Sequence, residues 1–227
     1  MKRDALRGII QFILSLGIVI IFELFFFSLL GRFGLHFKDN AYTIMNLVKY
    51  IIEFVIVGVV IYHGDIFAGK ENFKRSLFSS IIISLVTFIV MVVFTIILQK
   101  VLKLFDITIS NGFVNYFNES LTMNRALEIV ISCFIKPCLI CSIFVLGISN
   151  IIRKEVVAIL TSGIGYAIFL ILLNHLPIDK TLVFLLVDVI NMFALTYLYK
   201  STGNIYTCFI TYIIYIMCGS LLISYVL

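Results

Sequence analysis

The sequence predicts an all-α fold: a polytopic transmembrane helical bundle of about seven spans, forming one integral membrane domain over residues 1–227. Three observations predict it. Hydrophobic residues make up 62% of the chain and charged residues 13%, against about 45–50% and 25% in soluble domains. The apolar residues gather in long unbroken stretches, and mean hydropathy is +1.17. The basic residues stand mainly at the ends of those stretches, the pattern of membrane proteins that follow the positive-inside bias.

The expected spans are 8–31, 43–62, 76–99, 126–149, 155–175, 181–199 and 204–225, each about 19–24 residues. At 1.5 Å per residue that is enough to cross a hydrocarbon core of about 30 Å. Helix is the expected form because a segment in lipid must satisfy its own backbone polar groups. The first stretch is full-length and no small-residue cleavage site follows it, so it reads as a span rather than a cleavable signal. No internal repeat of the secondary-transporter kind is evident.

Orientation follows from Lys and Arg. One side holds Lys2, Arg3, Arg7, Lys70, Lys74, Arg75, Arg153, Lys154 and Lys200; the other holds Arg32, Lys38, Lys100, Lys103, Arg125 and Lys180. Nine against six puts the N-terminus in the cytoplasm and the C-terminus outside. The long gap at 100–125 reads as an interfacial piece and a loop with a turn at Asn111-Gly112. A sequon at Asn118 is discounted, because the Ile-, Phe- and Lys-rich style of the chain is bacterial. The expected home is the bacterial plasma membrane.

The net charge of +5 is spread over helix ends, so nucleic acid is not an expected partner. The five cysteines lie in apolar stretches, where a thiol behaves as a small hydrophobe. Cys138 and Cys141 form a C-x-x-C, but no second pair or nearby His completes a zinc set. No metal or other cofactor is expected.

Four charges stand in the middle of expected spans: Glu23, Glu53, Lys136 and Asp188. Such groups usually face a bundle interior or a wet cavity. Lys136 precedes Pro137, which predicts a kink. An ammonium there calls for an acidic partner, and Glu53 and Asp188 are the candidates by depth. Asn191 lies one turn beyond Asp188, on the same helix face. These residues form either a structural ion-pair network or a site for a substrate, ion or proton; the alternative for Glu23 is to snorkel to a head group. Glu23, Glu53 and Asp188 come from three helices, and nothing in their spacing requires a cation. His175, beside Pro177, reads as interfacial; His36 and His63 read as solvated.

Three stretches carry a family resemblance: SCFIKPCLICSIF around Lys136, TSGIGYAIFLILL, and ALTYLYKSTGNIYTCFITYIIYI with its turn at Lys200–Tyr206. Over about 126–216 the chain resembles the CAAX protease and bacteriocin-processing (Abi, type II CAAX-protease-like) intramembrane family. The resemblance implies paired glutamates at Ile131 and Ser132, a histidine at Leu170, another at Tyr212 and an asparagine near Ile216. These residues cannot activate water. Glu128 and His175 are out of register as substitutes. No catalytic residues are expected, and the family frame without its chemistry implies a degenerate, non-proteolytic member.

The leading expectation is a pseudoenzyme that binds membrane lipid and a membrane or cell-envelope protein or hydrophobic peptide, as a regulatory scaffold or bacteriocin self-immunity protein. Gly163, Gly165 and Gly219 are the candidate contact surfaces, with packing against this chain's own helices the equal alternative. The alternatives are an intramembrane enzyme with a rearranged site at Glu53, Asp188 and His175, or a transport component binding a cation at Glu23, Glu53 and Asp188.

Overall fold

The computed structural model describes residues 2–33, 39–68, 77–104, 122–174 and 178–219. Within them all regular structure is helical. Helix α1 is Lys2–Arg32 and α2 is Asp39–Phe54, which continues as a π-helical run over Val55–Ile61. The short α3 is His63–Ala68, and α4 is Leu77–Lys103. Next comes a segmented rod: α5 (Met123–Val130), a π run (Ile131–Ile135), α6 (Lys136–Ile140), a second π run (Cys141–Gly147) and α7 (Ile148–Ile151). Helices α8 (Glu155–Asn174), α9 (Ile178–Thr202) and α10 (Ile205–Ile214) follow, and α10 ends in a π run over Tyr215–Gly219.

Among the described residues, five helices are long and apolar enough to cross a membrane: Leu6–Arg32, Ala41–Ile61, Leu77–Val101, Ala126–Ile151 and Glu155–Leu172. They coincide with the first five expected spans, and the architecture is that of an integral membrane protein. The sixth expected span falls inside the 25-residue α9. The seventh is described only as far as Gly219, as an apolar helix shorter than a span. The expected interfacial piece is partly helical, since α4 runs on to Lys103. The Asn111-Gly112 turn, the Asn118 sequon, His36 and His175 lie outside the described residues, while His63 is exposed.

The segmented rod is the centre of the bundle. In its most apolar stretch 56% of residues are buried, against 11–28% in the other four spanning helices. Those four turn large apolar side chains outward, such as Ile13, Leu85 and Ile168, the inverse of a soluble surface and the expected face toward lipid. Phe144 is the hub of the core, 1% exposed. Its ring meets Phe12 at 6.1 Å, Tyr166 at 5.1 Å and Phe169 at 5.3 Å, so α1 and α8 both lean on the rod. Helices α9 and α10 pack on α4 and on the rod, and α8 lies along α9.

Proline explains the first irregularity in the rod. Pro137 has no N–H and its ring crowds the preceding turn. The chain answers with a widened turn, in which the Lys136 N–H bonds the Ile131 carbonyl five residues back. The expected disruption at Pro137 thus takes the form of a π-helical turn.

The turn between α9 and α10 is set by Thr202-Gly203-Asn204. Gly203 has φ 70°, the left-handed region that ends helices, and its N–H bonds the Tyr199 carbonyl at 2.7 Å. Asn204 then caps α10, its side chain accepting from the Tyr206 N–H at 2.8 Å. Lys200 donates to the Ser149 and Ile152 carbonyls at 3.0 and 2.9 Å, tying this turn to the end of the rod.

Gly163 is where α8 and α9 come closest. A Cβ there would overlap the Phe193 ring and lie 2.8 Å from the Val189 carbonyl oxygen. One turn away, Ser162 and Thr196 hydroxyls hydrogen-bond across the same interface at 2.7 Å. A Cβ on Gly165 would meet Ile148 and Phe144, and one on Gly219 would meet Tyr215 and Val92. All three candidate contact glycines therefore seat this chain's own helices, because the small side is turned inward.

Candidate functional site

Among the described residues, the charges expected inside the spans fall into two clusters. The first joins α1, α2 and α6. Glu23 of α1 accepts on both carboxylate oxygens: from Lys49 Nζ at 2.8 Å and from the Tyr50 hydroxyl at 2.6 Å, both on α2. The ion pair is well covered, with the Lys49 side chain 4% exposed and that of Glu23 27% exposed. Lys49 also lies 4.2 Å from the Tyr50 ring centroid. Glu23 is thus held by a salt bridge and does not reach for a head group.

Lys136 completes this cluster in a different way. Its Nζ lies over the Tyr50 ring, 4.7 Å from the centroid, a cation–π contact. Among the described residues no carboxylate stands within salt-bridge distance of it. Each Glu23 oxygen already accepts one hydrogen bond, from Lys49 or from Tyr50. Glu53 is fully buried, and neither of its carboxylate oxygens has a hydrogen-bond partner among the described residues. Lys136 therefore feels Glu23, Lys49 and Glu53 only through space.

Asp188 is not part of this cluster. It belongs to a second one, formed by Tyr166 of α8, Asp188 and Asn191 of α9, and Tyr212 and Tyr215 of the last helix. Tyr166 and Tyr212 lie in each other's electrostatic field and in that of Asp188. Tyr215 hydrogen-bonds Thr95 at 2.8 Å and lies near Asn191. The expected pairing of Lys136 with Asp188 is thereby corrected: the two belong to different clusters.

Between the two clusters lies a cavity of about 330 Å³. Its walls are Val19, Glu23 and Leu24 of α1, Tyr50 of α2, Lys136, Leu139 and Ile140 of α6, and Tyr166, Phe169 and Leu170 of α8. Glu23 and Lys136 are its two charged lining residues, and Tyr166 belongs both to its wall and to the Asp188 cluster. Leu24, 53% exposed, brings the rim to the lipid-facing side of α1. The cavity thus sets two charged groups and two tyrosines against an apolar wall.

Of the family-frame positions, Leu170 lines this cavity and Tyr212 lies near Tyr166 on its wall. Ile131 is buried in the widened turn before Lys136. Glu128 is exposed. The rearranged-enzyme set does not converge: Glu53 and Asp188 stand in separate clusters. Among the described residues no three His, Cys, Asp or Glu side chains come together as a metal would require. Cys138 and Cys141 are free thiols, the second fully buried.

Lys49, Tyr50 and Tyr166 are the site residues that sequence reasoning missed. Lys49 had a legible signal: it is a fifth charge inside an expected span, four residues before Glu53. Tyr166 had none, since a tyrosine in an apolar helix reads as packing.

No protein-family model, curated protein or solved structure matches the chain.

Proposed function

We propose that the chain is a non-proteolytic, CAAX-protease-like protein of the bacterial plasma membrane. It has about seven spans, with its N-terminus in the cytoplasm and its C-terminus outside. It binds a membrane or cell-envelope partner as a regulatory scaffold or self-immunity protein, holding an apolar chain in the cavity between α1 and α8. The observation that supports this reading is the cavity itself. It lies inside the bundle, reaches the lipid-facing side, and is bordered by Lys136 and Leu170, two positions of the family frame. Among the described residues its lining has a cation with no ion-pair partner and tyrosine hydroxyls, and no carboxylate–histidine set to activate water. A concave site that joins apolar walls to a few converging polar groups is a form binding sites take.

A photo-crosslinking amino acid at Leu24 tests it in the intact host. The expected result is a discrete adduct that disappears when Leu170→Trp fills the cavity. A control at Leu85, which faces outward from α4, reports bulk lipid. Adducts at position 24 no different from those at position 85 would overturn the proposal.

A further inference from the structure

The strongest unassigned feature is the state of Lys136. An ammonium inside a membrane span normally pairs with a carboxylate, because burial strips water from a charge that needs hydrogen bonds. Here two carboxylates are close and neither serves it. The two Glu23 oxygens accept from Lys49 and from Tyr50. Neither Glu53 oxygen makes a hydrogen bond, to Lys136 or to any other described residue. The contact Lys136 makes is with the face of the Tyr50 ring, which leaves its three N–H donors without an acceptor among the described residues. The side chain lines the cavity rather than hiding from it.

The remaining walls say what must accompany the missing acceptor. Val19, Leu24, Leu139, Ile140, Phe169 and Leu170 are apolar and lead from Lys136 to the outward-facing side of α1. A volume of about 330 Å³ suits a head group and a short length of one chain, at the low end of small-ligand pockets. A helix, about 10–12 Å across, does not fit it. A simple inorganic anion would leave the apolar walls unused.

We infer that the cavity takes the oxyanion head, a carboxylate or a phosphate, of a single-chain amphiphile. Lys136 donates to the anion, and the chain leaves past Leu24 into the bilayer. This inference rests on the reading of the cavity as a binding site and names its ligand class. The Glu23–Lys49 pair beside it supplies no net charge and keeps Glu23 from competing for Lys136. Tyr50, itself a wall of the cavity, holds the ammonium over its ring face. A charge-assisted hydrogen bond in so dry a site is strong, and its loss costs affinity directly.

The chain has no tryptophan, so a single Leu24→Trp reporter in the full-length protein has a dark background. In phosphatidylcholine nanodiscs, the probes are dibromostearic acid, a brominated single-chain phosphatidate, and the methyl ester of the acid. Saturable quenching by the acid or the phosphatidate is expected, with the ester at least ten-fold weaker. Which of the two acids binds tighter identifies the natural head group. Lys136→Met should weaken the acid about ten-fold or more, and Lys136→Arg should retain it. The ester comparison uses the reporter protein alone, so it stands even if Lys136→Met fails to fold. Equal quenching by acid and ester, or none that saturates, would overturn the inference. If the position-24 crosslink still captures a discrete partner, the binding-site reading survives that loss. If the crosslink fails as well, both fall.

Discussion

Lys136 sits on the face of the Tyr50 ring, 4.7 Å from its centroid, while the hydroxyl of that same ring donates to Glu23 at 2.6 Å. One tyrosine thus separates a cation from the carboxylate that would otherwise neutralise it. Each contact polarises the ring in the sense that favours the other: an acceptor on the hydroxyl enriches the π face that the ammonium meets.

The Glu23–Lys49 pair fastens α1 to α2. Lys49→Met leaves the Glu23 carboxylate short of its charged partner in a poorly solvated place and should destabilise the protein by roughly 3 kcal/mol. Glu23→Gln combined with Lys49→Met should recover most of that loss. Thermal unfolding in detergent of the two singles and the double gives the coupling, and an additive double would show that the pair contributes nothing.

Glu53 behaves in the opposite sense. Its carboxylate is fully buried with both oxygens unpartnered among the described residues. Replacing such a group by an apolar one of similar size removes a desolvation cost, so Glu53→Met should raise stability by about 1–3 kcal/mol. A lower unfolding temperature for this variant would show that Glu53 is needed as a counter-charge to Lys49 and Lys136.

Gly163→Ala puts a methyl group into the Phe193 ring and against the Val189 carbonyl. Overpacking of this kind costs about 1–3 kcal/mol. Phe193→Leu in the same chain should return only part of the loss, because the backbone oxygen remains in place. Unfolding curves of the single and double variants decide the matter; a neutral Gly163→Ala would mean that α8 and α9 can separate freely.

Gly203 holds φ 70° at the end of α9. Gly203→Ala forces an L side chain into the left-handed region at a cost of about 1–2 kcal/mol. Gly203→Asn should cost less, since its short side chain tolerates that conformation. The two melting temperatures should fall in that order, and the reverse order would contradict the turn described.

Depth was legible in the sequence, and azimuth was not. Hydropathy placed the first five spans within a few residues of their helices, and a charge in an apolar stretch announced Glu23, Glu53, Lys136 and Asp188 as interior groups. Which interior groups meet depends on how each helix is rotated about its axis. Lys136 and Asp188 face different clusters, so depth alone suggested the wrong partner. Lys49 was overlooked although its salt bridge organises the first cluster. The small residues Gly163, Gly165 and Gly219 left open whether they served a partner or the chain itself, because a glycine shows where helices approach without saying whose helices they are. The turn at Thr202-Gly203-Asn204 was fully readable, since helix stop and start chemistry is local.

The two π-helical runs on either side of Lys136-Pro137 carry an evolutionary consequence. Such a run is what a single inserted residue leaves behind when a helix absorbs it without breaking. Deleting one residue from Ile131–Ile135 would let the segment relax to ordinary α geometry with the helices on either side still in register. Homologous chains should be compared here by their gaps as much as by their letters.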